Sequence, residues 1–261
     1  MSGVSPRIPQ QPQPFCSLPR DTSLISFPPR PITRKNCSVT AEIKSLFLTG
    51  PAGKLEALLN TGAPHATHAA LVCHPHPLHG GTMHNKVVFN AMKALNSLGF
   101  PALRFNFRGA GLSEGTHHHG QGEVEDVRAA LDWLDDQFHL PIIFCGFSFG
   151  AAVGLRASCP DPRVAGIISL GTPVEAEGRL YAYNFLRECA KPKLFISGAH
   201  DEFAPLPELQ KVIASVPGPR QFVVIEGVGH FFEGKLDQVR SAIEHWVNET
   251  LLATHGGSPG F

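Results

Sequence analysis

The sequence predicts an α/β fold in which a mostly parallel sheet carries helices on both faces. Three observations predict it. Beyond residue 40, short apolar runs of strand length alternate with longer stretches of helical periodicity, the rhythm of strands joined by crossover helices. Glycine-rich loops bearing Ser148, Asp201 and His230 each follow one of those apolar runs, at the strand ends where open parallel sheets bind ligands. The chain has 261 residues and is 43% hydrophobic, enough to bury one large core.

Taken in order, the elements begin with an antiparallel pair over 42–48 and 54–59, joined by the turn residues Gly50-Pro51-Ala52-Gly53. A strand over 68–73 leads through a helix over 87–98 to a strand over 101–107. The helix over 123–138 places Val127, Ala130, Leu131 and Leu134 on one face, so Glu125 and Asp126 are assigned to its outer face. A strand over 142–145 runs into a helix opening near Ser148, and a strand over 164–170 follows. The interval before the next strand, 194–197, is assigned one crossover helix over 176–189, which leaves no room for a large cap. A helix over 206–216, a strand over 221–225 and a helix over 233–251 close the domain.

The ends differ in composition. Residues 1–36 are rich in proline and glutamine and sustain neither helical nor strand periodicity, so they are read as a disordered arm. A targeting segment is the competing reading, since the first twenty residues hold Arg7 and Arg20 and no acid. The catalytic domain is placed at 37–254 and a flexible tail at 255–261.

Lys+Arg and Asp+Glu number 22 each, so no net field draws in nucleic acid or an anionic membrane, and neither is expected as a partner. The cysteines, Cys16, Cys37, Cys73, Cys145, Cys159 and Cys189, form no Cys-x-x-Cys pair and read as reduced thiols. With no apolar run of membrane-spanning length and no secretory leader, the expected location is cytoplasmic.

Gly146-Phe147-Ser148-Phe149-Gly150 lies between the apolar strand ending Ile143-Phe144-Cys145 and the small-residue run Ala151-Ala152-Val153-Gly154. A turn that sharp holds a serine in a strained conformation above the sheet and beside a helix N-terminus, where negative charge is favoured. Ser148 is therefore the candidate nucleophile, with a simple helix cap as the bland alternative. A serine hydroxyl needs a base and an orienting carboxylate. Among fourteen histidines, His230 stands in Gly227-Val228-Gly229-His230, between the last strand and the last helix. Asp201 stands in Gly198-Ala199-His200-Asp201, after the preceding strand, with Glu202 as its adjacent rival. The order Ser, Asp, His follows.

The loop from Cys73-His74-Pro75-His76-Pro77-Leu78 to Asn85-Lys86 offers a backbone donor for a developing oxyanion. Pro75 and Pro77 lack an N–H, so the donor is His76 or Leu78, paired with the N–H of Phe149. Arg108-Gly109-x-Gly111-x-Ser113 is read as a structural turn in which Arg108 meets loop carbonyls, and no Lys-Ser/Thr pair makes it a nucleotide loop. His117-His118-His119 is read as a solvated loop, and no metal or cofactor is expected.

The His74-Pro75-His76-Pro77 loop, the Arg104-Phe105-Asn106-Phe107-Arg108-Gly109 run and the serine elbow together resemble the small α/β-hydrolases related to dienelactone hydrolase. The similarity spans roughly residues 40 to 250. It implies the α/β-hydrolase fold and cleavage of a small carboxylic ester or thioester through an acyl-serine. Ser148 stands where dienelactone hydrolase has a cysteine, so that enzyme's lactone substrate is not implied. A peptidase acting on short peptides, or a non-catalytic binding protein on the same fold, are the competing expectations.

Overall fold

The computed structural model describes residues 42–253 except residue 177. The arm predicted over 1–36 and the tail over 255–261 lie outside the described residues, as do Cys16 and Cys37.

The chain enters through an antiparallel hairpin, β1 (Ile43–Gly50) and β2 (Gly53–Asn60), whose turn needs glycine because Gly53 has φ 119°. Then come β3 (Ala69–Cys73), α1 (Lys86–Ser97), β4 (Ala102–Phe105), α2 (Gly122–Phe138), β5 (Ile142–Phe147), α3 (Phe149–Ser158) and β6 (Val164–Leu170). The small hairpin β7 (Glu175–Ala176) and β8 (Arg179–Leu180) precedes β9 (Lys193–Gly198), α4 (Leu206–Ala214), β10 (Arg220–Ile225) and α5 (Leu236–Val247). The eight-stranded sheet has the order β1-β2-β4-β3-β5-β6-β9-β10. β2 is antiparallel to both neighbours and every other neighbouring pair is parallel.

β3, β5 and β9 are buried at every position, which is why they read as unbroken apolar runs rather than alternating ones. Their side chains still divide by the two-residue period of a strand. Leu71, Phe144, Ile167 and Phe195 enter the core under α2, α3 and α4. Val72, Ile143, Ile168 and Leu194 enter the core under α1 and α5. From β3 the chain crosses to β4 on one side and later returns to β5 on the other. The connections therefore diverge above the carboxyl ends of β3 and β5, which opens the crevice where such sheets bind ligands.

Two predicted elements differ from those observed. The helix predicted over 176–189 is absent: β7 and β8 turn at Gly178, φ 71°, and a 3-10 segment spans Asn184–Glu188. Tertiary bonds hold this path, since the Tyr183 hydroxyl donates to Pro173 O at 2.7 Å and the Tyr181 N–H donates to Val174 O at 2.9 Å. α5 starts at Leu236 rather than at 233, because Phe232 and Gly234 have φ of 55° and 74° and interrupt the helical path. No helix of the described residues is long and apolar enough to cross a membrane.

α3 lies close on the sheet through Gly154, where a Cβ would sit 1.9 Å from the Phe144 ring. Gly154→Ala gains helix propensity but overpacks this contact, so stability should fall by about 1–2 kcal/mol in urea unfolding.

Candidate active site

Ser148 links β5 to α3 with φ 55° and ψ −120°, a conformation that costs a non-glycine residue about 1–3 kcal/mol. Its neighbours explain why the turn is so tight. A Cβ on Gly146 would lie 2.6 Å from Gly150 O, and one on Gly150 would lie 2.4 Å from His74 O. Glycine at both places lets the first turn of α3 press against the end of β3. The Ser148 N–H is tied to Leu170 O at 2.9 Å, and Phe149 opens the helix, where N–H groups have no intrahelical acceptor.

His230 and Asp201 meet at this serine. His230 Nε2 is 2.8 Å from Ser148 Oγ, and His230 Nδ1 is 2.9 Å from both Asp201 oxygens. A carboxylate only accepts, so the neutral ring carries its proton on Nδ1 and Nε2 accepts from the serine hydroxyl. Asp201 is buried and itself fixed, accepting from the Phe203 and Ala204 N–H groups at 2.9 and 3.1 Å. Glu202, the rival acid, is exposed, as is His200. The imidazole stands among Phe147, Phe203 and Phe231, with ring centroids 4.9, 4.7 and 5.2 Å away. Gly171 completes this box: its φ is 49°, and a Cβ there would lie 3.0 Å from the His230 ring. Sequence reasoning missed Gly171 and the phenylalanines, since nothing local marks a residue that serves a ring sixty positions away.

The His-Pro loop is fastened mainly through His74, which the sequence left without a role. This ring is fully buried; Nδ1–H donates to Pro75 O at 2.6 Å and Nε2 accepts from the Phe107 N–H at 3.0 Å. Burial pushes its pKa from the usual 6.5 down to about 4, against the opposing pull of the Pro75 carbonyl. Arg104 Nη1 donates to Met83 O at 3.0 Å, and Asn106 Oδ1 accepts from the Met83 N–H at 2.8 Å. Of the two candidate donors in the loop, the Leu78 N–H is directed to His76 Nδ1 at 3.3 Å, and Leu78 is 66% exposed. The His76 ring packs on Phe149 with centroids 4.7 Å apart.

Three expectations near the site are corrected. Arg108 does not reach for loop carbonyls, and Asp126 is not on the outer face of α2. Asp126 is fully buried and takes a forked bond from Arg108, Nη2 at 2.6 Å and Nε at 3.0 and 3.1 Å. A charge-paired inward residue obeys no apolar periodicity, which is why the helical pattern assigned it outward. Glu125 does face outward, and pairs with Arg128. The histidine loop is solvated only in part: His118 and His119 are exposed, whereas the His117 ring packs on Phe149 and lies 3.0 Å from the buried Glu123. Glu123 also accepts from the His118 and Gly120 N–H groups at 2.7 and 2.8 Å. A cavity of about 20 Å³ adjoins this loop, lined by Gly120, Phe149, Val153, Arg156, Tyr181 and Tyr183 among others.

Residues 67–191 match the family model described as serine aminopeptidase, S33. The chain is 38% identical to an α/β serine hydrolase homologue from Coxiella burnetii, with a TM-score of 0.71 over 77% of this chain and 96% of that one. It is 34% identical to a Xanthomonas campestris protein described as an α/β serine hydrolase without lid, with a TM-score of 0.72 over 84% of this chain and 97% of that one. An uncharacterised Rickettsia prowazekii protein is 32% identical over 209 residues, 77% of this chain and 87% of its own. These likenesses carry no particular link to dienelactone hydrolase.

The depressed pKa of His74 has a measurable consequence. The unfolded chain binds this proton more readily than the folded one, so the His74 contribution is complete above pH 6.5 and is lost as pH falls toward about 4. Urea unfolding at about pH 7 and about pH 5 should show a loss in the wild type that His74→Gln reduces, the full effect of the buried ring approaching about 3 kcal/mol. Equal pH slopes in the two proteins would assign the acid sensitivity elsewhere.

Proposed function

The chain belongs to the α/β serine hydrolases, and from that premise we propose that it cleaves a small carboxylic ester or thioester through an acyl-enzyme on Ser148. His230 Nε2 takes the hydroxyl proton as Ser148 Oγ attacks the carbonyl carbon. Asp201 holds the Nδ1–H tautomer and stabilises the imidazolium that forms. The Phe149 N–H and a loop N–H, for which His76 is the candidate, stabilise the tetrahedral oxyanion. Collapse expels the alcohol or thiol, protonated by His230, and water then releases the acid by the same steps in reverse. The observation that carries this reading is the unbroken relay of hydrogen bonds, 2.8 Å from Ser148 to His230 and 2.9 Å from His230 to Asp201.

A peptidase is the second reading, favoured by the description of the matching family model. Recognition of a free amine needs an acid facing the substrate. The buried acids beside the site are already engaged: Asp126 by Arg108, and Glu123 by backbone N–H groups and His117. That leaves the ester reading ahead.

Ser148→Ala should abolish labelling by a fluorophosphonate and lower kcat at least ~10³-fold with an unchanged melting temperature. Asp201→Asn should cost far more activity than Glu202→Gln. A mutant at Ser148 that still labels would remove it from the chemistry, and a wild type that never labels would favour a non-catalytic binding protein.

Substrate size is read from the crossover between β6 and β9. Its described residues hold a short hairpin and a 3-10 segment but no α-helix to roof the serine. Without a roof, each methylene of a long acyl chain that stays in water forfeits about 0.8 kcal/mol. We expect kcat/KM to be higher for p-nitrophenyl acetate and butyrate than for the decanoate. Efficiency that rises with chain length, or turnover confined to aminopeptidase substrates run in parallel, would overturn this preference.

A further inference from the structure

A cavity of about 310 Å³ opens beside α1 and α5, the layer that covers the face of the sheet opposite α3. It is walled by Ile43 and Asn60 of the opening hairpin, by Phe89, Met92 and Lys93 of α1 and by Arg240 of α5, among others. Its volume falls at the lower end of the range for small-molecule sites, about 300–1,000 Å³. Ile43 and Phe89 are exposed, so apolar surface meets solvent here beside polar groups. None of these residues has a part in the ester chemistry.

The charge around the cavity is of one sign. Lys93 and Arg240 line it, and no acidic residue does among the described residues. Lys93 Nζ stands over the Phe89 ring, 5.8 Å from its centroid. Arg240 Nη1 and Nη2 come no nearer to Asp237 and Glu244 than 3.7 and 3.8 Å, beyond hydrogen-bond length, and Glu244 Oε1 accepts instead from the Ser97 hydroxyl at 2.9 Å. Arg240 Nε is buried and has no hydrogen-bond partner. Arg104 lies behind the wall, its guanidinium 5.6 Å from the Phe89 centroid and its Nη2 donating to Asn60 Oδ1 at 3.4 Å. That guanidinium is buried, its Nε also lacks a partner, and Nη1 donates to the neutral Met83 carbonyl. Buried cations are costly unless an anion compensates them. Asn60 is 6% exposed and lines the cavity; with its oxygen turned to Arg104, its amide N–H groups are left to face the space.

We infer that this cavity binds a small monocarboxylate, its apolar chain or ring against Ile43, Phe89 and Met92 and its carboxylate against Arg240, Lys93 and the Asn60 amide. The carboxylate supplies the acceptor that Arg240 Nε lacks and the negative charge missing beside Arg104. A bare anion such as phosphate gains the charge but leaves the apolar wall in water, and a neutral alcohol covers the wall but leaves the cations uncompensated.

The test is calorimetric titration of the full-length protein at neutral pH with octanoate, octan-1-ol and inorganic phosphate. Octanoate should saturate one site below about 5 mM, and octanol and phosphate should each bind at least ~10-fold more weakly. Lys93→Glu, at an exposed position of α1, should weaken octanoate at least ~10-fold while leaving the melting temperature and esterase activity in place, and Arg240→Gln should weaken it similarly. Ser148→Ala should bind octanoate as the wild type does, and because binding alone is read, the result stands whether or not the chain cleaves esters. No saturation by octanoate, or octanol or phosphate bound as tightly, would overturn the inference. So would wild-type affinity in Lys93→Glu, or lost affinity in Ser148→Ala, which would place the carboxylate at the serine.

Discussion

The whole site depends on how closely the first turn of α3 approaches the end of β3. Gly150 lies so near the carbonyls of Cys73 and His74 that no side chain fits between them, and Gly146 is confined by Gly150 and Ala151. With both elements pressed together, the one residue joining β5 to α3 is driven to a positive φ, and its hydroxyl projects out of the turn. The same contact brings the first N–H of α3 alongside the His-Pro loop. Strain at Ser148, the outward path of its oxygen and juxtaposition of the candidate donors are thus consequences of one packing constraint. The energy to hold a residue there comes from the buried strand on one side and the helix on the other, not from the serine.

Polar groups then decide where the loops over the sheet stand. The loop after β3 has little regular structure, and prolines remove two of its N–H groups. It is positioned by buried side chains from β4 and beyond: Arg104 and Asn106 at Met83, and the Phe107 N–H at His74. The turn after β4 is in turn held on α2 by the Arg108–Asp126 fork. Each bond of this kind contributes modestly when made, but a buried partner left alone costs about 1–3 kcal/mol, and more if charged. Such a network tolerates few arrangements, which makes it suited to fixing donors against a reacting atom. His74 takes part only because it is neutral, since one ring nitrogen must donate while the other accepts.

How much of this could be read from the sequence follows from the range of the interactions. Ser148 was legible because the elbow is local: strand, glycine, serine, glycine and helix lie within a dozen residues. His230 and Asp201 were legible because each follows a strand at the right place in the order. The parallel sheet was legible because its strands are buried on both faces and read as apolar runs. The β7–β8 hairpin was not, because Tyr181 and Tyr183 are fixed by bonds to Val174 O and Pro173 O that no periodicity encodes. Asp126 was misplaced for the same reason, its inward position being set by Arg108 eighteen residues earlier. The burial of Lys193 gave no signal at all, since a lysine at the head of a strand reads as a solvated end.

The two halves of the site are held by different means, and this separates position from protonation. The serine and the candidate oxyanion donors are fixed by backbone packing, with glycine where atoms touch. The histidine stands on a loop and is fixed by its surroundings, Phe147, Phe203 and Phe231 around the ring and Gly171 beneath it. Those aromatic contacts constrain the plane of the ring but are indifferent to which nitrogen bears the proton. Asp201 makes that choice, and its own orientation is set by the Phe203 and Ala204 N–H groups and not by the histidine. The carboxylate would therefore stay in place if the ring were removed, and the ring would stay in place if the carboxylate became an amide. An amide at position 201 changes the favoured tautomer while leaving the geometry alone, so under the proposed mechanism the loss of activity it causes would measure the protonation step by itself.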